Sequence, residues 1–532
     1  MATSADSGAS IAGAGTEYGD ALATRRQLYG PNTSLSYEQP LMIVRGHGTY
    51  LYDEGGVPYL DCVNNVSHLG HGNAEVASAV CAQLHTLNTN SRYLHPHLPT
   101  YAQQLLKSLN ASAAPDANAS CCSGSGSGGR LTAAAAQPPP PPHPASQGPA
   151  IPSEGPSLDV LYLVCSGSEA NDLALRIIAA ARGPAATHIA VMGGAYHGHT
   201  SALIALSPYK FWGSGGAGRQ PHVHVVPCPD PYRGENLDGR AAARAVLAAA
   251  VRAGGRLGGF FCESVLSCGG QVVLPRGYLR DLYSELRSWG VVLVADEVQC
   301  GFGRLGAAFW GFQTQEGVRP DIVTMGKPIG NGYPLAALAT SRELAGAFAA
   351  PGMEYFNTYG GSTAAVAAGL AVLRVLQRDG LQQHAERVGE YLLSGLRALR
   401  EVHSDVVGDV RGLGLFLGVE VVRDKESRRH APATARWIKE RMKARRVLLS
   451  TDGPYDNVIK IKPPLVFGFR EADVLLQQLG EVLRRELTPD VRQRLSQRED
   501  ELWAAVYGPR HAKYRENERL LYGSSDLPRA RL

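Results

Sequence analysis

Four short stretches of this sequence combine residue types that could do chemistry, and each follows an apolar run. Lys327 stands in Met325-Gly326-Lys327-Pro328-Ile329-Gly330-Asn331-Gly332, after the run Asp321-Ile322-Val323-Thr324. A lysine buried in so apolar a setting loses proton affinity and becomes a nucleophile and Schiff-base former. The plainer alternative is a surface lysine on a turn. Asp296 and Gln299 lie in Ala295-Asp296-Glu297-Val298-Gln299. Burying such an acid is costly unless it is paired. A protonated ring nitrogen would be one partner and backbone donors another. Gly167 and Ser168, in Cys165-Ser166-Gly167-Ser168-Glu169-Ala170-Asn171-Asp172, would open a helix whose N-terminus favours phosphate. On capping preferences alone the same stretch reads first as a capped helix start, with Glu169 in its first turn. Tyr196 and His197, in Gly194-Ala195-Tyr196-His197-Gly198-His199, offer a ring to stack on a planar heteroaromatic group, or a half-buried tyrosine at a glycine turn. The pairs His197/His199, His68/His71 and His95/His97 lack a third ligand at suitable spacing, so no metal is expected.

These stretches must be held by strands. Between Leu158 and Ser341, seven apolar runs alternate with helical segments: LDVLYLVC, HIAVMGG, VHVVP, GGFFCES, VVLVADEV, DIVTMGK and PLAALATS. Continuous apolar strands between helices imply a mostly parallel sheet buried on both faces. Ligands bind at the carboxyl ends of strands in open α/β sheets, which is where all four stretches fall. The remaining organisation is read as a flexible N-terminus at 1–25 and an N-terminal segment at 26–109. That segment holds short strands within 41–62 and a helix over 74–88, with Val76, Val80 and Leu84 on one face. Residues 110–157 contain CCSGSGSGG, AAAA and PPPPP, too little large apolar surface to offset ordering entropy, and are read as a disordered insertion. Residues 158–378 form the large cofactor-binding domain, with a long helix at 363–378. A second long helix at 380–401 and a mix of strands and helices over 405–480 give a smaller α+β domain at 379–487. Residues 488–532 form a charged tail, helical at first and then irregular.

With 52 basic and 48 acidic residues, the formal charge of +4 is too balanced to imply nucleic-acid or membrane-surface partners. No apolar run approaches the roughly 20 residues that span a bilayer. Nine scattered cysteines without a CxxC pair read as reduced thiols in an intracellular compartment, cytoplasmic or mitochondrial. The first residues are Ala/Ser/Gly-rich like a transit peptide, yet Asp6, Glu17 and Asp20 precede the first arginine, Arg25, and transit peptides are acid-poor.

The order of the stretches — phosphate turn, aromatic stacker, strand-end acid, strand-end lysine — resembles the class-III aminotransferase branch of the fold-type-I enzymes that use pyridoxal 5′-phosphate. The likeness runs from about residue 26 to 485, interrupted by the insertion. It implies an α/β fold with a large domain built on a mostly parallel seven-stranded sheet and a smaller α+β C-terminal domain. It also implies site roles. Gly167 and Ser168 would bind the cofactor phosphate. Tyr196 would stack on the ring with His197 beside it. Glu263 in FFCES would support the site. Asp296 would keep the pyridine nitrogen protonated and Gln299 would bond the ring hydroxyl. Lys327 would form the Schiff base. Thr358, in Phe356-Asn357-Thr358-Tyr359-Gly360-Gly361, would reach the phosphate in a neighbouring subunit, which requires a homodimer, or a tetramer built from one. The family pattern GGNP is here Gly360-Gly361-Ser362-Thr363.

Within the class the chain is most similar to the ammonia-releasing phospho-lyases of O-phosphoethanolamine and 5-phosphohydroxy-L-lysine, through LNTNSRYLH, LSPYKF, CPDPYRG, ESVLSCGGQ, GMEYFNTYGG and LLSTDGP. Many class-III transaminases carry an arginine before the PPL turn that grips a substrate carboxylate bidentately. Here Lys460 holds that place in Ile459-Lys460-Ile461-Lys462-Pro463-Pro464-Leu465. The glutamate that often pairs with that arginine is replaced by Cys268. Loss of both argues against the usual carboxylate gate, while a lysine still attracts phosphate as a point charge. The expected substrate is a small phosphorylated amine. The alternative is a transaminase using alanine and glyoxylate, or an ω-amino donor, on the same lysine-bound cofactor.

Overall fold

The seven apolar runs become one seven-stranded sheet: β1 (Val160–Val164), β2 (His188–Met192), β3 (Val223–Val226), β4 (Leu257–Glu263), β5 (Val292–Asp296), β6 (Ile322–Met325) and β7 (Ala336–Thr340). The computed structural model describes residues 14–111 and 155–523. The expectations for residues 1–13, for most of the insertion (112–154) and for 524–532 lie outside the described residues. Across the sheet the order is β1-β7-β6-β5-β4-β2-β3. β7 runs antiparallel to both neighbours, and the other pairs are parallel. Alternate residues serve opposite faces, as the two-residue period requires. Val292 and Val294 join Ile177 and Leu173 of helix Gly167–Arg182 in one core. Leu293 and Ala295 join helices Gly239–Arg252, Tyr278–Ser288 and Thr363–Arg378 in the other.

Register then brings the chemistry together. Asp296 pairs with Glu263 on β4 and with Thr324 on β6, so the ends of three central strands stand in one row.

A second, antiparallel sheet takes the order Val407–Leu413, Phe416–Val421, Val458–Ile461, Ser450–Asp452. The N-terminal strands Ile43–His47, Tyr50–Asp53 and Pro58–Asp61 form a third sheet, which Val447–Leu448 joins in parallel, Leu60 opposite Val447. Local patterning cannot show a pairing between segments so far apart in the chain.

Three local expectations need correcting. Helix Ala14–Leu28 occupies part of the N-terminus read as flexible. The helix read over 74–88 spans Ala74–Thr86 and buries Val76, but Leu84 remains 50% exposed. The tail is helical to Tyr522 rather than irregular. It is held by packing: Glu499 accepts from the N–H groups of Ala433 and Thr434, capping helix Pro432–Ala444, whose own flanking residue, Ala431, has no capping side chain. Farther along, Asn517 donates to the Val225 carbonyl, and the Tyr514 ring meets Trp212 edge-on at 4.4 Å.

Candidate active site

A cavity of about 360 Å³ opens at the carboxyl ends of these strands. Gly167, Ser168, Tyr196, His197, Glu263, Asp296, Gln299 and Lys327 all line it. The structure thus brings together eight residues spread over 160 positions of sequence. It does not bring Thr358, Lys460 or Cys268 to that lining.

The end formed by the helix start is built as a cap. Ser166 Oγ accepts from the Glu169 N–H at 3.2 Å, and a Glu169 carboxylate oxygen accepts from the Cys165 N–H at 2.6 Å. The cap is made by residues on either side of Gly167 and Ser168, and these two remain on the cavity wall. A β-carbon at Gly167 would stand 2.8 Å from Val298, so the turn can approach Val298 only without a side chain. Ser168 Oγ accepts from the His199 N–H at 3.2 Å, which ties this turn to the Tyr196–His199 loop.

Asp296, at the end of β5, lines the same cavity. One of its oxygens, Oδ2, lies 2.8 Å from both Asn171 Nδ2 and His197 Nδ1, and Oδ1 accepts from the Val298 N–H at 3.1 Å. Asn171 is itself fixed: its Oδ1 accepts from Thr324 Oγ1 at 2.8 Å, so its amide nitrogen must turn to Asp296 and the His197 carbonyl. His197 is 2% exposed, and its Nε2 has no partner among the described residues. Glu263 backs this end, accepting from the Tyr196 N–H with Oε1 and the Ser267 N–H with Oε2. Burial first, and then the nearby Asp296 charge, push the Glu263 carboxyl above its usual range. Tyr196 is half-buried along the side, its hydroxyl raised in pKa by burial.

Lys327 opens a short 3₁₀ turn, Lys327–Gly330, with φ of +22° between Gly326 and Pro328. A non-glycine residue at positive φ persists only where its surroundings enforce it, and such residues cluster at functional sites.

These residues fit a phosphate-bearing heteroaromatic cofactor. The helix start, with glycine at its first position, would receive an anion, the buried Asp296 carboxylate, with a lone pair to spare, would receive a protonated ring nitrogen, and Lys327 and Tyr196 line the same cavity. Asn171 went unassigned in the sequence, although it sits four residues, one helical turn, after Gly167.

The residues expected to handle substrate form a separate group. Lys460 Nζ is 3.1 Å from Asp452 Oδ2, and that carboxylate raises its pKa against the pull of burial. Cys268 is half-buried beside Asp452 and Glu263, and desolvation first, then those carboxylates, push its thiol up to about 12. The side chain that reaches toward the cavity is instead Lys462, fully buried with Nζ 2.6 Å from Ser267 Oγ and 3.3 Å from Gln299 Oε1. Thr358 is exposed, within a segment where Met353 is 72% and Tyr359 73% exposed.

The family model described as aminotransferase class-III matches residues 150–483. The chain is 40% identical to an alanine–glyoxylate aminotransferase 2-like protein of Drosophila melanogaster, over 92% of this chain and 91% of that one. It is 35% identical to ethanolamine-phosphate phospho-lyase homolog 1 of Caenorhabditis elegans, over 87% and 92%. Among solved structures, a phospholyase from Arthrobacter in complex with phosphoethanolamine superposes with a TM-score of 0.73 at 35% identity, covering 88% of this chain and all of that one.

Proposed function

The chain belongs to the class-III aminotransferases, and from that premise we propose that it is an ammonia-releasing phospho-lyase of a small phosphorylated amine, O-phosphoethanolamine or 5-phosphohydroxy-L-lysine. Enzymes of this family use pyridoxal 5′-phosphate, whose protonated ring takes up the electron pair released when a substrate C–H bond breaks. Gly167 and Ser168 would hold the phosphate, Tyr196 the ring face and Gln299 the ring oxygen. Lys327 would anchor the cofactor and, once released by the incoming amine, remove the Cα proton of the substrate. Asp296 would hold the proton at the ring nitrogen, its own position fixed by Asn171, His197 and the Val298 N–H. Phosphate would then leave the neighbouring carbon, and hydrolysis would give an aldehyde and ammonia.

The observation that carries the lyase reading is the pair Lys460–Asp452 beside Cys268. Where carboxylate-gripping relatives hold an arginine and a glutamate, this chain holds an internally paired lysine and a thiol raised to about 12 and so neutral near pH 7. The likeness to the Arthrobacter phospholyase supports the same reading.

A second copy of the chain would complete the site. Tyr93 and Leu94 are 70% and 105% exposed, and Arg92 bonds Glu354 at 3.0 Å and stacks on Phe356 at 4.0 Å. These exposed large apolar residues, with Met353 and Tyr359 at 72% and 73%, would be covered by a partner. Thr358 would then reach the neighbouring cofactor phosphate.

The test is to incubate the holoenzyme with O-phosphoethanolamine and with 5-phosphohydroxy-L-lysine and to assay phosphate and ammonia. Stoichiometric release of both is expected. Release of neither, with glyoxylate or pyruvate restoring pyridoxal phosphate from the pyridoxamine form, would establish the transaminase reading that the name of the Drosophila relative suggests.

A further inference from the structure

Gln299 has two donors on its carbonyl oxygen. Asn65 Nδ2 lies 3.0 Å from Oε1 and Lys462 Nζ lies 3.3 Å from it. Lys462 arrives from the second sheet, just past strand Val458–Ile461, and is fully buried. Its ammonium is steadied by Ser267 Oγ at 2.6 Å and by the face of Phe416, 4.2 Å from the ring centroid. An ammonium carries three donors and no acceptor. Turning the Gln299 amide over would set its NH₂ against the ammonium and against a second NH₂. The oxygen is therefore pinned on the Lys462 side. The Gln299 nitrogen makes no hydrogen bond to the described residues and lies in a side chain that lines the cavity.

We infer that Lys462 is a positioning residue: with Asn65 it locks the Gln299 carboxamide so that its two N–H donors face the cofactor cavity. A buried lysine that merely filled space would be replaced by methionine at lower energetic cost, since burying a cation is expensive. Burial first, and then the charge of Lys460, pull the Lys462 pKa down to about 7 against Asp452, Cys268 and Glu263, so the amine is without a lone pair only in its protonated form, and Asn65 holds the Gln299 oxygen in either form. The lock works at the oxygen side of the ring, opposite in function to the Asp296 end, and is supplied by the small domain. It rests on the reading of Gln299 as donor to the ring oxygen.

The experiment reads the bound cofactor rather than turnover. The visible band of the holoenzyme is titrated with pH in wild type, Gln299→Ala, Lys462→Met and the double variant. A donor to the ring oxygen favours the form with one proton fewer, so losing it raises the midpoint. Gln299→Ala is expected to raise it by about one pH unit or more, the size of a hydrogen bond to a charged group. Lys462→Met is expected to raise it in the same direction, and the double variant no further than Gln299→Ala. If Lys462→Met does not fold, Lys462→Gln takes its place. It can present either amide end to Gln299, so the same shift at smaller size is expected. A wild-type midpoint in the Lys462 variant overturns the inference, and so does an additive double variant, which would mean that Lys462 acts without Gln299. A wild-type midpoint in Gln299→Ala instead overturns the role of Gln299 itself.

Discussion

The Asp296 end of the cavity and the Lys460–Cys268 wall differ in how they are built. At the first, β4, β5 and β6 deliver Glu263, Asp296 and Thr324 in one hydrogen-bonded row, and the helix packed on those strands delivers Asn171. Every member is buried, and Asp296 accepts three hydrogen bonds. At the second, Lys460 and Asp452 come from the small domain, Cys268 from the loop after β4, and Lys460 keeps part of its side chain exposed. A row of strand ends is rigid because moving one residue disrupts a ladder. A wall assembled across two domains can change its residues without disturbing the sheet. The cofactor end should therefore govern whether any chemistry occurs, and the wall which substrate receives it.

The largest effect tests the cofactor end at its reactive residue. Lys327→Ala should remove both the covalent anchor and the proton-transfer group, and turnover should fall by at least about 10³-fold. Loss of the lysine-dependent visible band on the same preparation would accompany it. Asp296→Asn comes next. It preserves shape and removes the charge, so kcat is expected to fall by about 10²-fold or more, with KM nearly unchanged, because the charge matters most in the transition state. Steady-state kinetics that showed a change in KM alone would place Asp296 among binding residues and erase the contrast.

These two residues were legible in the sequence for a physical reason. A charged group just after an apolar, β-rich run must end a buried strand, and it needs a partner there. Asn171 was not legible, because an asparagine in the second turn after a serine cap reads as helix surface. Its role appears only when Thr324 takes its oxygen and so turns its nitrogen to Asp296. Lys460 lies in strand Val458–Ile461 and Lys462 just past its end, and the sequence could not tell which of the two is buried. The structure gives the ion pair to Lys460 and the cavity side to Lys462. The seven strands were readable one by one, whereas the parallel pairing of Val447–Leu448 with Pro58–Asp61 depends on contacts remote in sequence.

Thr358 extends the comparison to a third region that a single chain leaves exposed. Thr358→Ala should raise the dissociation constant for pyridoxal phosphate by about 10-fold, the loss of one hydrogen bond to a charged group. Equilibrium dialysis of the holoenzyme measures it, and sedimentation should show a dimer in both forms. A monomeric wild type would remove the route by which Thr358 could act. The relay at the Asp296 end should show a smaller loss. Thr324→Val keeps size and removes the donor to Asn171, and kcat/KM is expected to fall by about 5-fold, consistent with one neutral hydrogen bond.

The smallest effect belongs to the wall. Lys460→Met removes a cation already opposed by Asp452 at 3.1 Å, so little free positive charge is lost from the substrate side. Partly neutralised point charges act weakly, and the expected change is a rise in KM for the phosphorylated amine of about 3-fold, with kcat unmoved. Asp452 keeps the hydrogen bond from Gln271 Nε2 at 3.0 Å, so its carboxylate is not stranded without a donor. The informative control is an amine of similar size without phosphate, whose KM should not rise. A fall in kcat comparable to that of Asp296→Asn would break the distinction between the two regions, because it would put Lys460 in the chemistry rather than on the substrate side.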